Sequence, residues 1–463
     1  MPKKLTMASS TIIAIASTAP AYSLAVTVGI LAAHTGIYSA AVMLVALIPM
    51  IGIAWAFKML SSKNPDSGTV FAWTTQALGP KWGFLGGFAV CIASLVVMGS
   101  LAQVATLYGL KIFGIDEVPL YVQGTLGTFW IALLTFICYK GIDITAKMQK
   151  FLVGGEVLIL LVFAAVALFK VYSGTATDVS IMPELSWINP FGAGEETFIG
   201  IAAALFIYWG WDSSLSIAEE TEDSRHAPAN AALWSIGITA VIYAFVVFAV
   251  IAFAGIDAIK GNEDDIFAVV AKDVLGEYGV MALIVAVLFS AISSTQTTIL
   301  PTARTMFSMG RAGAIPGRFA EQNSNTLTPE FSTVITGIIS TGLYLVLLFS
   351  GSNAIIDSVE ATAIFICFYY ILASISAIII FRKDPARSIF KHMVLPAVAG
   401  LMMVAVLIYS IISLLPDPED NPFLLGNALN IVVLCSILGV ISLIFLSKRQ
   451  FFKENSIKVI EPA

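Results

Sequence analysis

The sequence has few charged residues for its length. Only 12% of its 463 residues are Asp, Glu, Lys or Arg, whereas 58% are hydrophobic, and the mean hydropathy is +0.91. Soluble globular domains contain about 25% charged and 45–50% apolar residues. A chain of this composition lacks the polar side chains to cover its surface in water. We therefore predict an integral membrane protein with the lipid bilayer as its surroundings.

Histidine and cysteine, which supply most metal ligands and many catalytic groups, are also scarce. The chain has three histidines near predicted helix ends and four cysteines without metal-type spacing such as Cys-x-x-Cys. No nucleophile–base pair or ligand cluster is evident, so we predict no enzyme activity, no cofactor and no metal. The net charge of −6 and the lack of a basic stripe argue against a nucleic-acid partner.

Long hydrophobic runs recur along the whole chain. A bilayer core requires roughly 20 consecutive, mostly apolar residues per helix. On that criterion we predict an all-α membrane protein with twelve transmembrane helices, forming one transport domain over residues 1–463. The predicted spans are 10–33, 37–58, 83–110, 119–139, 151–172, 196–217, 230–254, 278–299, 331–350, 354–381, 393–415 and 425–447.

Positive charges are distributed unevenly between alternate loops. With a cytoplasmic N-terminus, 20 of the 24 Lys and Arg residues face the cytoplasm. Such an excess is typical of cytoplasmic loops. We therefore predict a multi-pass plasma-membrane protein with both termini in the cytoplasm. The basic residues left outside are Lys111, Lys170, Lys260 and Lys272.

Two predicted spans contain features that lipid-facing helices avoid. In the first span Pro20 follows a run of small residues, and proline removes a backbone donor and disturbs the preceding turn. In the sixth span Gly210 separates two tryptophans and is closely followed by Asp212. A charged side chain at the helix centre costs at least about 2.5–3.5 kcal/mol, so Asp212 is expected to face a cavity or a partner. Both spans are predicted to be interrupted helices.

The two interrupted spans occupy corresponding places in two halves of the chain. Spans one to five lie within residues 1–173, spans six to ten within 196–382, and the last two within 393–447. Inverted repeats with interrupted helices are typical of transporters that bind substrate at the membrane midplane. This organisation therefore favours a secondary transporter.

Four segments beside the predicted spans carry a family resemblance. They are 64–73 (NPDSGTVFAW) with 78–84 (LGPKWGF), 145–149 (TAKMQ), 210–221 (GWDSSLSIAEET) and 303–316 (ARTMFSMGRAGAIP). In this order they resemble the amino acid–polyamine–organocation (APC) superfamily of permeases. The resemblance implies a leucine-transporter-type fold, with a 5+5 inverted repeat plus two peripheral helices, and proton-coupled uptake or exchange of amino acids or amines. We predict a symporter that takes up an amino acid with protons.

One departure from the family pattern leaves the substrate open. Many relatives interrupt the first helix with a Gly-Ser-Gly type sequence whose amides hold the substrate carboxylate, whereas residues 17–21 here read STAPA. An importer or exchanger of an amine or polyamine is therefore an alternative to an amino acid importer. A non-transporting membrane receptor is a remote alternative.

The candidate substrate-binding residues flank the two interruptions. Hydroxyls and backbone amides of the first span would bind the polar end of the substrate, although small residues there also permit close helix packing. Phe206 lies near the place where the family has an aromatic that closes over the substrate. Asp212 is expected to recognise an amine or to brace the sixth helix. The predicted set is Ser17, Thr18, Ala19, Phe206, Trp209, Gly210, Trp211 and Asp212.

A carboxylate in the fifth span is the candidate for proton coupling. Glu156 lies in an apolar run without a basic partner in the same span, near where some proton-coupled relatives have a lysine. A structural, hydrogen-bonded glutamate is the alternative. On the eighth span Ser290, Ser293 and Ser294 are candidate contacts for a coupling ion, or small residues that let helices approach closely.

Overall fold

Helices form every regular element of the structure, a computed structural model that describes residues 5–260, 266–350, 354–385, 387–415 and 428–453. The predicted all-α class is confirmed for these residues. The α-helices are α1 (Met7–Thr18), α2 (Pro20–Thr35), α3 (Ser39–Lys63), α4 (Val70–Leu78), α5 (Pro80–Lys111), α6 (Leu120–Tyr139), α7 (Ile142–Ser173), α8 (Glu196–Ile207), α9 (Ser213–Ser216), α10 (Ala227–Lys260), α11 (Ile266–Leu275), α12 (Glu277–Arg311), α13 (Glu330–Phe349), α14 (Ala354–Phe381), α15 (Leu395–Ser413), α16 (Ala428–Leu446) and α17 (Gln450–Lys453).

Ten helical stretches among the described residues are long and apolar enough to cross a bilayer. The first of them, Met7–Lys63, contains two predicted spans, and the shorter apolar helix Glu196–Ile207 lies at the sixth. Residues 425–427 of the last predicted span lie outside the described residues. The stretches support a multi-pass membrane protein, while the count of twelve stays a prediction.

The helices differ from the predicted spans mainly in length. Helix α7 begins at Ile142 rather than near 151, and α12 continues to Arg311 rather than ending near 299. A hydropathy criterion stops where charged residues begin, but the backbone hydrogen bonds of a helix continue through them. The short helices α4 and α11 were not predicted, because nine or ten residues are too few to span a bilayer.

Helix α5 forms the centre of the helical assembly. In an apolar stretch of 18 residues of α5, 89% is buried, and the helix packs against α12, α14 and α4. Gly87 brings it close to α4, since a Cβ at that position would lie 2.9 Å from the Cβ of Phe71. By contrast, only 22% of the corresponding stretch is buried in α15 and in α16, which is consistent with a peripheral position for both.

Both predicted interruptions are present as breaks in helical geometry. Ala19 separates α1 from α2 with a left-handed backbone (φ 48°, ψ 64°), and Pro20 then starts α2, where its missing N–H costs no helical hydrogen bond. Helix α8 ends at Ile207, and residues 208–212 form turns before the short α9. Gly210 in these turns has φ 112°, in the region that favours glycine.

Candidate substrate and coupling site

The two breaks lie against each other, backbone to backbone. A Cβ at Gly210 would lie 2.4 Å from the Ser17 carbonyl oxygen and 2.9 Å from the Thr18 nitrogen. No side chain fits at that distance, so glycine permits the contact. Residues from two distant segments that were predicted to bind substrate are therefore brought together at one point.

Side chains of α12 and α2 donate hydrogen bonds to the backbone carbonyl groups of the first break. The Ser294 hydroxyl of α12 donates to the Ser17 oxygen at 3.2 Å, and the Ser23 hydroxyl of α2 donates to the Thr18 oxygen at 2.8 Å. The Thr18 hydroxyl itself donates to the Ile15 oxygen at 2.8 Å, and the Ala19 N–H bonds within α1. Thr18 and Ala19 thus have fewer free donors for a ligand than the sequence predicted, and their role stays a prediction.

Tyr243 of α10 contacts both breaks and was not predicted from the sequence. Its hydroxyl lies 3.0 Å from the Thr18 oxygen and 3.1 Å from the Ile207 oxygen, so it can donate to either carbonyl. The side chain is fully buried. A hydroxyl in the middle of an apolar span was the available signal, but hydropathy alone does not tell which helix it faces.

We expect Tyr243→Phe to reduce the initial rate of transport while the protein still folds. A buried hydrogen bond contributes about 1 kcal/mol to stability, and a difference of about 1.4 kcal/mol between transport states changes a rate about tenfold. Tyr344→Phe is the matched control, because the Tyr344 hydroxyl also donates to two acceptors, Gln103 Oε1 and the Gln123 carbonyl, and neither belongs to a break. Uptake and thermal unfolding are measured for both. Equal losses of uptake would contradict a specific role for Tyr243.

Glu156 is a fully buried carboxylate on α7 that faces the first break. It lies beside the Ser290 hydroxyl of α12 and the Ala21 backbone N–H of α2. Neither carboxylate oxygen, nor the Ser290 hydroxyl, has a hydrogen-bond partner of good geometry in the described part of the chain. The structure therefore brings the predicted coupling residue and the predicted Ser290 together at the start of α2.

The three candidate serines of α12 face different neighbours. Ser290 lies beside Glu156, and Ser294 bonds to the first break. Ser293 instead belongs to a group of buried polar side chains between α12 and α7, where its hydroxyl donates to Gln149 Oε1 at 2.5 Å. The Gln149 amide donates in turn to the Ser293 carbonyl at 3.1 Å and to Gln296 at 2.5 Å. Ser293 therefore joins α12 to α7, and its hydrogen bonds among the described residues go to α7 and α12 rather than to the break.

Asp212 and Trp209 share one partner on α14. The Tyr369 hydroxyl donates to an Asp212 carboxylate oxygen at 2.9 Å, and the Trp209 indole N–H donates to the Tyr369 oxygen at 2.5 Å. Asp212 makes no ion pair among the described residues. Its carboxylate at the second break thus has one hydroxyl donor and no fixed cation.

Trp211 is buried among aromatic side chains, whereas Phe206 faces a cleft. Trp211 is fully buried, with ring centroids 5.1 Å from Phe57 and 5.7 Å from Tyr370, so it packs within an aromatic cluster. This position favours a packing role over the predicted pocket-lining role. Phe206 lines a cleft of about 220 Å³ between α2, α8, α14 and α15, together with Thr27.

Sequence comparison relates nearly the whole chain to one family. The sequence model described as "Amino acid permease" matches residues 5–443. The chain belongs to the amino acid permease family. This match confirms the resemblance to APC permeases and supports a membrane transporter for a small molecule.

Individual relatives of this permease are distant and differ in the substrates that their names give. Three of them, all from Bacillus subtilis (strain 168), are the branched-chain amino acid permease BcaP, a methylthioribose transporter and the serine/threonine exchanger SteT. BcaP is 23% identical over 78% of this chain and 77% of its own length. The methylthioribose transporter is 22% identical over 63% of each chain, and SteT 22% identical over 70% of each.

Ion pairs join α12 of the permease to neighbouring segments on the side that the predicted topology assigns to the cytoplasm. Arg311, at the end of α12, bonds to Asp66 at 2.8 Å and to Glu219 at 2.9 Å. Arg304 pairs with Glu220 at 2.7 Å, and both side chains are more than 90% buried.

Glu219 remains charged in its ion pair with Arg311. Burial alone would raise the pKa of Glu219, but the Arg311 guanidinium and the Ser67 N–H and hydroxyl hold it below its ordinary value. The N-terminal segment is joined to the same region by two backbone hydrogen bonds. The Leu5 N–H donates to the Glu220 backbone carbonyl, and the Glu222 N–H donates to the Leu5 backbone carbonyl, each at 2.9 Å. The end of α12 is thus tied to the segments that follow α3 and α9.

Proposed function

We propose that this permease takes up an amino acid across the plasma membrane together with a proton. The contact between the breaks at Ala19 and Gly210, with Glu156 buried beside it, is the observation that carries the proposal. Interrupted helices expose N–H groups for a carboxylate and carbonyls for a cation near the midplane. The proposal includes twelve membrane helices, a 5+5 inverted repeat and cytoplasmic termini.

Alternating access would connect this site to the two sides of the membrane in turn. The ion pairs of Arg304 and Arg311 close one side, so the structure fits a state that is shut toward the cytoplasm. A ligand shifts such an equilibrium only by its differential affinity for the two states. A proton on Glu156 can supply that difference if the carboxylate is buried in one state and closer to water in the other.

Uptake into proteoliposomes tests the proposal. Labelled leucine, isoleucine, valine, serine and threonine, together with amines, are supplied with and without an inward proton gradient. We expect at least one amino acid to accumulate only when the gradient is present. Glu156→Gln resembles the protonated carboxyl permanently and should retain exchange but lose accumulation driven by the gradient.

The control for Glu156→Gln is Asp178→Asn, which removes an exposed carboxylate outside the helices. It should accumulate substrate as the wild type does. If Glu156→Gln still concentrates substrate in response to the gradient, the coupling group lies elsewhere. If only amines accumulate, the amino acid proposal is wrong.

Transport of an amine is the second candidate, supported by the Asp212 carboxylate. It lies at the second break with the Tyr369 hydroxyl as its side-chain donor and with no ion pair among the described residues. A buried carboxylate is favourable beside a cation and costly when left unpaired. A substrate ammonium group could therefore bind there.

We expect Asp212→Asn to weaken transport of substrates bearing an amine more than that of analogues without one. Hydrogen bonds to charged groups contribute about 1.5–3 kcal/mol, so KM for an amine should rise about tenfold or more. Tyr369→Phe is the comparison, because it keeps the carboxylate and removes the hydroxyl that donates to Asp212 and accepts from the Trp209 N–H. If Asp212→Asn transports every substrate with wild-type kinetics, the carboxylate does not recognise the amine.

A further inference from the structure

The start of α2 forms a position suited to one negative charge. Ala19 ends α1 in a left-handed conformation, and Pro20 has no N–H, so the Ala21 N–H is the first amide that α2 directs away from its own helix. The partial positive charge of a helix N-terminus stabilises an anion there. We call this position, defined by the Ala21 N–H and the Ser290 hydroxyl, the α2 anion site.

The carboxylate of Glu156 already faces the α2 anion site. It is fully buried, and neither of its oxygens nor the Ser290 hydroxyl has a hydrogen-bond partner of good geometry among the described residues. An unpaired acid at 0% exposure is costly as an ion and acceptable as a neutral group. A charged Glu156 would therefore repel a second anion bound at the α2 anion site.

No fixed cation balances Glu156 in the described structure. Helix α7 packs against α1, α2, α6, α10, α11 and α12. Of these helices, α10 contributes Tyr243, the titratable side chain that acts on Glu156 electrostatically, while α2 and α12 face it with the Ala21 amide and the Ser290 hydroxyl. Within the described residues, no Lys, Arg, Asp or Glu of these helices forms an ion pair with Glu156.

We propose that Glu156 and the carboxylate of the substrate compete for the α2 anion site, so that a carboxylate substrate binds together with one proton. Two carboxylates that share a site cannot both be ionised at low cost, so one of them takes up a proton. Glu156 takes the proton from the aqueous side that the site faces and releases it with the substrate. This inference rests on the proposed function and adds the physical cause of the coupling, the competition of two carboxylates for the α2 anion site.

Binding to the purified full-length permease in nanodiscs tests the competition. The probes are leucine and isopentylamine, which is leucine without its carboxylate, with threonine as a second amino acid. The dissociation constant of an amino acid should rise by up to about tenfold per pH unit as the pH increases, the limit for one linked proton. In Glu156→Gln the amino acid should bind tightly at every pH, whereas Asp178→Asn should keep the wild-type slope.

A second measurement does not depend on the folding of a variant. Addition of the amino acid to wild-type protein in weak buffer should take up about one proton per bound molecule, because the linkage is reciprocal. The amine should take up none. A pH indicator records the difference.

Two results would overturn the inference while leaving proton-coupled amino acid uptake intact. One is a pH slope for the amino acid that Glu156→Gln retains. The other is equal proton uptake with the amino acid and with the amine. If the protein binds isopentylamine and no amino acid at any pH, both the inference and the proposed function are wrong.

Discussion

Gly210→Ala is expected to abolish transport. The residue has φ 112°, a conformation that a residue with a Cβ rarely adopts. The added carbon would also lie 2.4 Å from the Ser17 carbonyl oxygen, which is far inside van der Waals contact. Because the obstacle is backbone, it can move only if the α1 break moves. We expect loss of at least about 99% of uptake. A shift of about 1 Å between the two breaks would misplace the groups that bind substrate, and a misplacement of that size can reduce a rate about a hundredfold.

Gly237→Ala is the matched control for this substitution. Gly237 lies within α10, and a Cβ there would have no neighbour within 4 Å. Alanine is the better helix former by about 1 kcal/mol, so this variant should fold and transport at least as well as the wild type. Expression, thermal unfolding and uptake are measured side by side. Normal uptake by Gly210→Ala would show that the contact of the breaks is not needed for transport.

The interruptions were predictable from the sequence because they depend on local chemistry. Pro20 cannot sit inside α1 and α2 as one regular helix without losing a hydrogen bond, and Gly210 between two tryptophans marks a flexible point. Each of these predictions needs only the neighbouring sequence and the position relative to the bilayer.

The partners of these residues were not predictable, because they come from distant parts of the chain. The hydroxyl of Tyr243 reaches Thr18, 225 residues away, and the Ser293 hydroxyl reaches Gln149, 144 residues away. In a span that is apolar on all sides, hydropathy does not indicate which face meets which helix. For the same reason the aromatic cluster around Trp211 could not be distinguished from a substrate pocket.

The buried ion pair at the end of α12 leads to the second large effect. The Arg304 and Glu220 side chains are 4% and 8% exposed, and the guanidinium donates to both carboxylate oxygens, at 2.9 Å and 2.8 Å. Removal of one partner leaves a buried charge without compensation, which costs about 3–5 kcal/mol. We therefore expect Glu220→Ala to lower the thermal midpoint sharply and to reduce the yield of folded protein.

The neighbouring glutamate provides a control for Glu220→Ala. Glu219 is 19% exposed and shares Arg311 with Asp66, so Arg311 keeps a carboxylate partner in Glu219→Ala. The variant loses the Glu219 bonds to Arg311 and Ser67 but leaves no charge buried without a partner, so it should lose less stability than Glu220→Ala. Equal destabilisation by the two alanine substitutions would show that burial of the Arg304 pair does not determine the effect.

A double variant separates the loss of charge pairing from the loss of packing. In Arg304→Met with Glu220→Leu both charges are absent, and replacement of a buried ion pair by apolar residues is often neutral or stabilising. We expect most of the lost stability to return. The closure would then rest on packing alone, so a cysteine at Ser10, buried against Thr221 in the native closure, should react faster with a maleimide. Recovered stability with unchanged labelling would mean that the Arg304–Glu220 pair is not needed to hold Ser10 against Thr221.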